Sequence, residues 1–507
     1  MTTDFEKNMV KPEEKTTETP EYAKKEPVKL NISLFDEDGQ KKSQSTLLIE
    51  IGMLGMLFHD ENRNAYAEVK QGDIKEVYKV RSRDYREYLG HELYKLIGKG
   101  ANATSILDAI NTLEAVAKHD GEQKPVAIRV SHIQGAVFID PGCPKRRIIK
   151  INESGWSYTR EAPVKFIRKN GMTDLPEPSH KADIALLRKY INVCDQELPL
   201  IYGWLFCALA GIRPYPILIL QGEQGTGKST TSRVIRSLVD PSSVPLRSPP
   251  RDIRDLLVSA GNTHCVVLDN LSGLNHEVAD TLCRLSTGGG IDVRALYTDN
   301  EQYLVELQKP ILANGIDDIA TRPDLAERSI IINLPVISNA QRLSERDFWQ
   351  SFEQDKPKIL SALFQAISSG LKYRDQINLT EKPRMADVVQ WVTACERGLD
   401  IEGAFIQAHY ENQLLAVESA IESSPIGSAI VELMSDLERW TGKPTELLSD
   451  LERKVDVRQS QSKAWPQSLK GLRNVIKRLQ PNFRKLGLEI THGKDGYGNR
   501  FYRIEKV

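Results

Sequence analysis

Apolar residues change their spacing several times along this chain, and each change marks an element. The run Tyr215-Pro-Ile-Leu-Ile-Leu220 is continuous, the pattern of a strand buried on both faces. Two similar runs, His264-Cys-Val-Val-Leu-Asp269 and Pro310-Ile-Leu-Ala-Asn314, follow it, and a fourth spans 330–334. Spacing near 3.6 predicts helices over 84–97, 103–118, 182–192, 198–211, 229–239, 351–372 and 386–396. Residues 30–34 and 45–51 read as strands around the turn Asp36-Glu-Asp-Gly39. Further hairpins are expected around Asp60-Glu-Asn-Arg63 and Asn152-Glu-Ser-Gly155, and over 291–297 and 303–307.

These patterns divide the chain into five parts. Residues 1–28 carry Thr, Glu, Lys and Pro without apolar periodicity and read as a disordered tail. Residues 29–175 form an α+β domain, and 176–337 an α/β core with the apolar strands. Residues 338–424 follow as a helical lid or linker, and 425–507 as a separate module. The apolar and charged fractions, 40% and 27%, suit an ordinary soluble protein. The longest apolar run is too short to span a membrane, and the polar N-terminus does not read as a signal peptide. The six cysteines are scattered with no CxxC pair, which fits a reducing, cytoplasmic setting rather than a zinc site or disulfide framework.

Chemistry enters after the first apolar strand. Gly222-Glu223-Gln224-Gly225-Thr226-Gly227-Lys228-Ser229-Thr230 fits the spacing GxxxxGK(S/T) between a strand and a helix. Glycines there let backbone N–H groups converge on phosphate, Lys228 adds charge for the β- and γ-phosphates, and the Ser229 hydroxyl can reach Mg²⁺. ATP and Mg²⁺ are therefore the expected ligands. The strand ending in Asp269 reads as a Walker B element that would hold the magnesium. Asn314, at the end of the next strand, is placed like a sensor of the γ-phosphate. Arg322 and Arg328 follow before the last strand. Arg384 opens a helical run, where it could be a second sensor or a solvated arginine. The Asp36/Asp38 pair could suggest primase chemistry, although an Asp-Gly hairpin tip explains it more simply.

The last segment changes in charge. From Lys463 to Val507 there are eleven Lys and Arg against three acids, a net of +8 in a chain whose total is −1. Helices over 426–439, 445–454 and 468–479, then a strand pair around Gly493–Asn499, have the order of a winged helix. Lys470, Arg473, Lys477 and Arg478 would lie along the groove-facing helix and Arg500 and Arg503 on the wing, facing duplex DNA or a protein partner.

With these motifs in order, the chain resembles the superfamily 3 helicases and the AAA+-like helicase halves of phage and plasmid primase–helicases. LDNLSGL (268–274), LCRLSTGGG (282–290), RALYTDNE (294–301), LANGI (312–316) and TRPDLAERSI (321–330) resemble uncharacterised ATP-binding proteins of prophages and integrative elements. The likeness is strongest over 215–335. It implies a P-loop NTPase core and a ring-forming DNA helicase, a homo-oligomer with a hexamer as the expected ring. ATP would be hydrolysed at subunit boundaries, with Arg328 or Arg322 reaching in from the neighbour. The 291–307 hairpin would grip single-stranded DNA through Arg294 and Lys309, or else only support the ring. Asn270 departs from the pattern, since an acid usually follows the Walker B Asp as general base; Glu277 or a neighbouring subunit could serve instead. The alternative is a nucleotide switch or regulatory DNA-binding protein that does not translocate.

Overall fold

The structure, a computed structural model, describes residues 32–294, 302–305, 307–316, 319, 322–338, 342–379, 383–462, 464–494, 496 and 500–507. The tail expected over 1–28 and the hairpin tip Thr298–Glu301 lie outside the described residues.

The chain opens with α1 (Gln44–Met53), β1 (Met56–His59), β2 (Ala65–Gln71), β3 (Ile74–Lys79), α2 (Arg83–Ile97), α3 (Ala103–His119) and β4 (Glu122–Gln123). Its sheet has the order β3-β2-β1-β4. Residues 45–51, expected as a strand, belong to α1. Ser43 caps it by accepting the Thr46 N–H at 3.1 Å, and Leu47, Leu48 and Ile51 turn inward. Gly52 permits that packing, because a Cβ there would stand 2.4 Å from Leu113 of α3. Asp36 accepts the N–H groups of Asp38 and Gln40, so its carboxylate shapes a turn.

Next come β5 (Val126–Ala127), β6 (Val130–Ile133), β7 (Ala136–Ile139), β8 (Ile148–Asn152), β9 (Gly155–Thr159) and β10 (Lys165–Phe166). β6 to β9 form an antiparallel meander with the expected hairpin at Asn152–Gly155. Arg129, fully buried just before β6, pairs with Asp240 at 3.0 Å and donates to the carbonyls of Thr173 and Pro241. Burial alone would raise the Asp240 pKa, but Arg129 and His264 outweigh it and hold the carboxyl below its ordinary range.

A single 3₁₀ turn, Ala185–Lys189, replaces the helix expected over 182–192. Then follow α4 (Leu198–Ala210), β11 (Ile217–Gln221), α5 (Lys228–Val239), α6 (Ile253–Gly261), β12 (Val266–Leu271), α7 (His276–Thr287), β13 (Ile291–Arg294), β14 (Gln302–Val305), β15 (Ile311–Gly315), α8 (Pro323–Ala326) and β16 (Ser329–Asn333). Strands β12-β15-β11-β16 make one parallel sheet. Alternate residues feed two cores: Leu218, Leu220, Leu312 and Ile330 pack on the α4 side, Ile217, Ile219, Ile311 and Ala313 on the α6 and α7 side. Burial on both faces explains why these strands read as unbroken apolar runs.

α9 (Glu345–Tyr373), α10 (Ala386–Glu396) and α11 (Ala404–Glu422) cover the α4 face. α11 was not expected. Its Asn412 side chain bonds both backbone groups of Ile331 and so occupies the free edge of β16. The chain ends with α12 (Pro425–Met434), β17 (Arg439–Gly442), α13 (Pro444–Glu452), α14 (Val457–Ser460), α15 (Leu469–Lys485), β18 (Leu488–Lys494) and β19 (Arg500–Lys506). The last sheet has the order β17-β19-β18, with β17 an unforeseen third strand. Its core includes Val417 and Ile421 of α11, which anchor it to the rest. Among the described residues no single helix is long and apolar enough to cross a membrane.

Candidate functional site

β11 delivers the chain at Gln221 to a loop that only glycine can follow at three points. Gly222, Gly225 and Gly227 all have positive φ, and a Cβ on Gly222 would stand 2.8 Å from the Leu334 carbonyl. The loop is braced by Asn192, whose Nδ2 donates to the carbonyls of Thr226 at 2.9 Å and Pro335 at 2.6 Å. Thr226 is buried and bonds back to Glu223 O at 3.0 Å, while Glu223, Gln224 and Gly225 are exposed. α5 begins at Lys228, so its first N–H groups open toward the loop. Lys228 Nζ lies against the carbonyls of Gly222 and Glu223 at 2.7 and 2.6 Å. Burial lowers its pKa, partly offset by the Asp269 charge. Thr230, one residue beyond Ser229, is half-buried in the first turn of α5.

Three side chains converge beside this loop. Ser229 Oγ donates to Asp269 Oδ1 at 2.9 Å, and Asn314 Nδ2 donates to the same oxygen at 2.8 Å and to Ser232 Oγ at 2.8 Å. Parallel neighbours β12 and β15 carry Asp269 and Asn314 to the same sheet end as the loop. Asn270 sits at φ +59°, where the β12 register shifts, and its side chain is exposed. Among residues with a Cβ, Asn is one of those that tolerate this left-handed region best. Glu277, in the first turn of α7, is exposed.

The arginines divide. Arg322 is held by Asp280 at 2.6 Å and Asp324 at 2.7 Å. Arg328 donates to Asp324 O at 2.7 Å, and its Nε is buried without a partner among the described residues. Arg328 O accepts the Ile217 N–H at the start of β11, so the residue lies at the sheet end opposite the glycine loop. Arg384 pairs with Glu327 beside it, as does Lys485 of α15 at 3.5 Å. Arg384, expected as a second sensor or a solvated arginine, thus lies at the far end of the sheet from its own glycine loop, with its charge paired to a carboxylate. Sequence reasoning missed Arg342, whose Nη2 would stand 3.1 Å from a Cβ on Gly225. It also missed Asn192; neither belongs to a motif with recognisable spacing.

Arg294 closes β13, but its side chain is outside the described residues; Lys309 is half-buried on the approach to β15. In the C-terminal module, Leu472, Ile476, Leu479 and Phe483 turn one face of α15 into the core. Lys470, Arg473, Lys477 and Arg478 lie exposed on the other, with no ion pair among the described residues. Arg500 is exposed at the start of β19. Arg503 sits on the central strand, half-buried, with its Nε buried and unpartnered among the described residues.

Two family models match the chain. Residues 184–408 match the actinomycete integrative conjugative element replication protein, and residues 426–507 match the C-terminal domain of the same RepA protein. Among solved structures, the chain is similar to the apo C-terminal region of NrS-1, with 14% identity and a TM-score of 0.42 over 92% of this chain and 100% of that one. It is similar also to the SCCmec type IV Cch active helicase, with 13% identity and a TM-score of 0.46 over 89% and 92%. No curated protein matches.

Proposed function

We propose that this chain, similar over 184–408 and 426–507 to the replication proteins of integrative conjugative elements, is a DNA-acting ATPase of helicase type. The observation that carries the reading is the Ser229–Asp269–Asn314 cluster beside Lys228 and the glycine loop. Hydroxyl and carboxylate oxygens meeting at a helix N-terminus are the hard donors that magnesium prefers, and Mg²⁺ bound there would neutralise phosphate charge. Lys228 and the opening N–H groups of α5 would hold the β- and γ-phosphates. Asn314 orients Asp269 and would sense the terminal phosphate. The exposed Asn270 amide would align water without taking its proton.

Arg328 lies too far along the sheet to serve its own loop, which suits a finger offered to a neighbouring subunit in a homo-oligomeric ring. Arg322 is already occupied by two acids. The C-terminal module reads as a winged helix presenting α15 to duplex DNA, while the β13–β14 hairpin would meet a single strand. A second reading, the nucleotide switch, is favoured by one observation: an amide stands where a general base is usual.

ATP turnover with and without single-stranded DNA, paired with strand displacement on a forked duplex, separates the two. DNA-stimulated turnover with unwinding supports the motor. ATP binding without turnover on any DNA overturns it in favour of the switch.

A further inference from the structure

A second site lies at the other end of the parallel sheet from the glycine loop. A cavity of about 1460 Å³ opens between β4 to β6, the approach to β11, the end of α6 and the approach to β15. Seven lysines and arginines line it against two acids. Of the acids, Asp60 is already engaged by Asn64 at 2.8 Å and Tyr66 at 3.1 Å. Five of the cations, Lys169, Arg213, Arg254, Lys309 and Arg374, come from five separate segments and have no ion pair among the described residues. Burial, then Arg213 and Lys169 against a partial offset from Asp240, pushes the Lys309 ammonium down to about 8. Burial and then Lys79, against a partial offset from Asp84, lower Lys169 as well. Folding has thus gathered mutually repelling cations around one space, at a cost that an anion entering it would offset.

We propose that this cleft binds the phosphates of a single nucleic-acid strand. Small-ligand pockets span roughly 300–1,000 Å³, so the space exceeds what one nucleotide fills. Both lining tyrosines, Tyr66 and Tyr215, are buried, so neither offers a face for bases to stack on, and among the described lining residues His132 carries the one exposed aromatic ring. With seven cations against one exposed ring, contact is mainly with the backbone and largely independent of sequence. Lys309 belongs to this cleft, at the base of the β13–β14 hairpin, so a strand held here would run directly to that hairpin. The inference rests on the proposed action on DNA for the identity of the ligand, and not on nucleotide hydrolysis.

The test uses the full chain carrying Lys169→Ala, Arg254→Ala and Arg374→Ala, with labelled oligothymidylate followed by anisotropy across a salt series. Losing three phosphate contacts should weaken binding at least tenfold and reduce the log–log salt slope by about 2, at roughly 0.7 per contact. Duplex affinity and turnover without DNA should stay at wild type, so a failure of the ATPase reading would show separately. Exchanging the three for Arg, Lys and Lys should preserve binding. Should the triple variant fail to fold, Arg254→Glu alone, on an exposed side chain, should still reduce the slope by about 0.7 or more. Unchanged affinity and slope in a folded variant would overturn the proposal, as would a wild type that ignores the oligonucleotide. So would tripolyphosphate binding that depends on these residues while strand binding does not, because the cleft would then be a site for free phosphates.

Discussion

Asn314 holds both residues at the turning point of β12: its Nδ2 donates to Asp269 Oδ1 at 2.8 Å and its Oδ1 accepts the Asn270 N–H at 3.0 Å. The amide is almost fully buried, so it cannot exchange these partners for water. One side chain therefore sets the direction of the Asp269 carboxylate and the left-handed turn that exposes Asn270. Asn314→Ala should leave the Asn270 N–H and Ser232 Oγ without this partner and Asp269 Oδ1 with Ser229 alone, lowering stability by about 1–3 kcal/mol and turnover by roughly 10²-fold. Thermal unfolding and steady-state hydrolysis measure the two effects separately. Asn314→Asp keeps the acceptor but sets a second carboxylate beside Asp269, and should fail as badly.

Lys228→Ala removes the ammonium that faces the loop carbonyls. ATP binding or turnover should be abolished while the fold persists, as read by nucleotide titration and circular dichroism. Unchanged activity would end the assignment of the glycine loop to phosphate.

Asn270 combines an exposed amide with φ +59°. Asn270→Asp tolerates the same backbone and supplies a carboxylate, so hydrolysis should hold or rise. Asn270→Glu should do the same for hydrolysis but cost roughly 1 kcal/mol of stability, since longer side chains suit this region less well. Asn270→Ala should lower turnover. If all three variants hydrolyse at the wild-type rate, the residue does not orient water.

Arg328→Ala should bind ATP yet turn it over roughly 10³-fold more slowly. Mixing it with Lys228→Ala should restore activity, because mixed rings contain boundaries with both groups intact. Mixtures that assemble but stay inactive would disprove action in trans. Arg322→Ala should instead lower the melting temperature, because two acids lose their partner.

Deleting 425–507 would uncover Val417 and Ile421, so point variants are the cleaner probe of the basic module. Replacing Lys470, Arg473, Lys477 and Arg478 with alanine should reduce the salt slope for duplex DNA by about 3–4, at roughly 0.9 per phosphate contact. ATP turnover without DNA should be unaffected. An unchanged slope would mean that this face of α15 serves a protein partner.

Sequence patterns reach only local structure. The four core strands were legible because burial on both faces forces unbroken apolar runs, and the glycine loop because its backbone admits few other residues. Ser229, Asp269 and Asn314 could be placed at strand and helix ends from those runs alone. The run at 45–51 was not decidable in this way, since a short apolar stretch suits a buried strand or a helix, and only the α3 surface meeting Gly52 makes it α1. α11 escaped notice although its Asn412 secures the sheet edge, a contact with no trace in nearby sequence. Only the folded chain shows that Arg384 faces Glu327, that Arg342 and Asn192 meet the glycine loop, and that five cations from distant segments, without an ion pair among the described residues, share one cleft. The physical reason is range: backbone propensity and burial act over a few residues and leave a periodic mark, whereas the partner of a charge or an amide is whichever group the folded chain brings within about 3 Å.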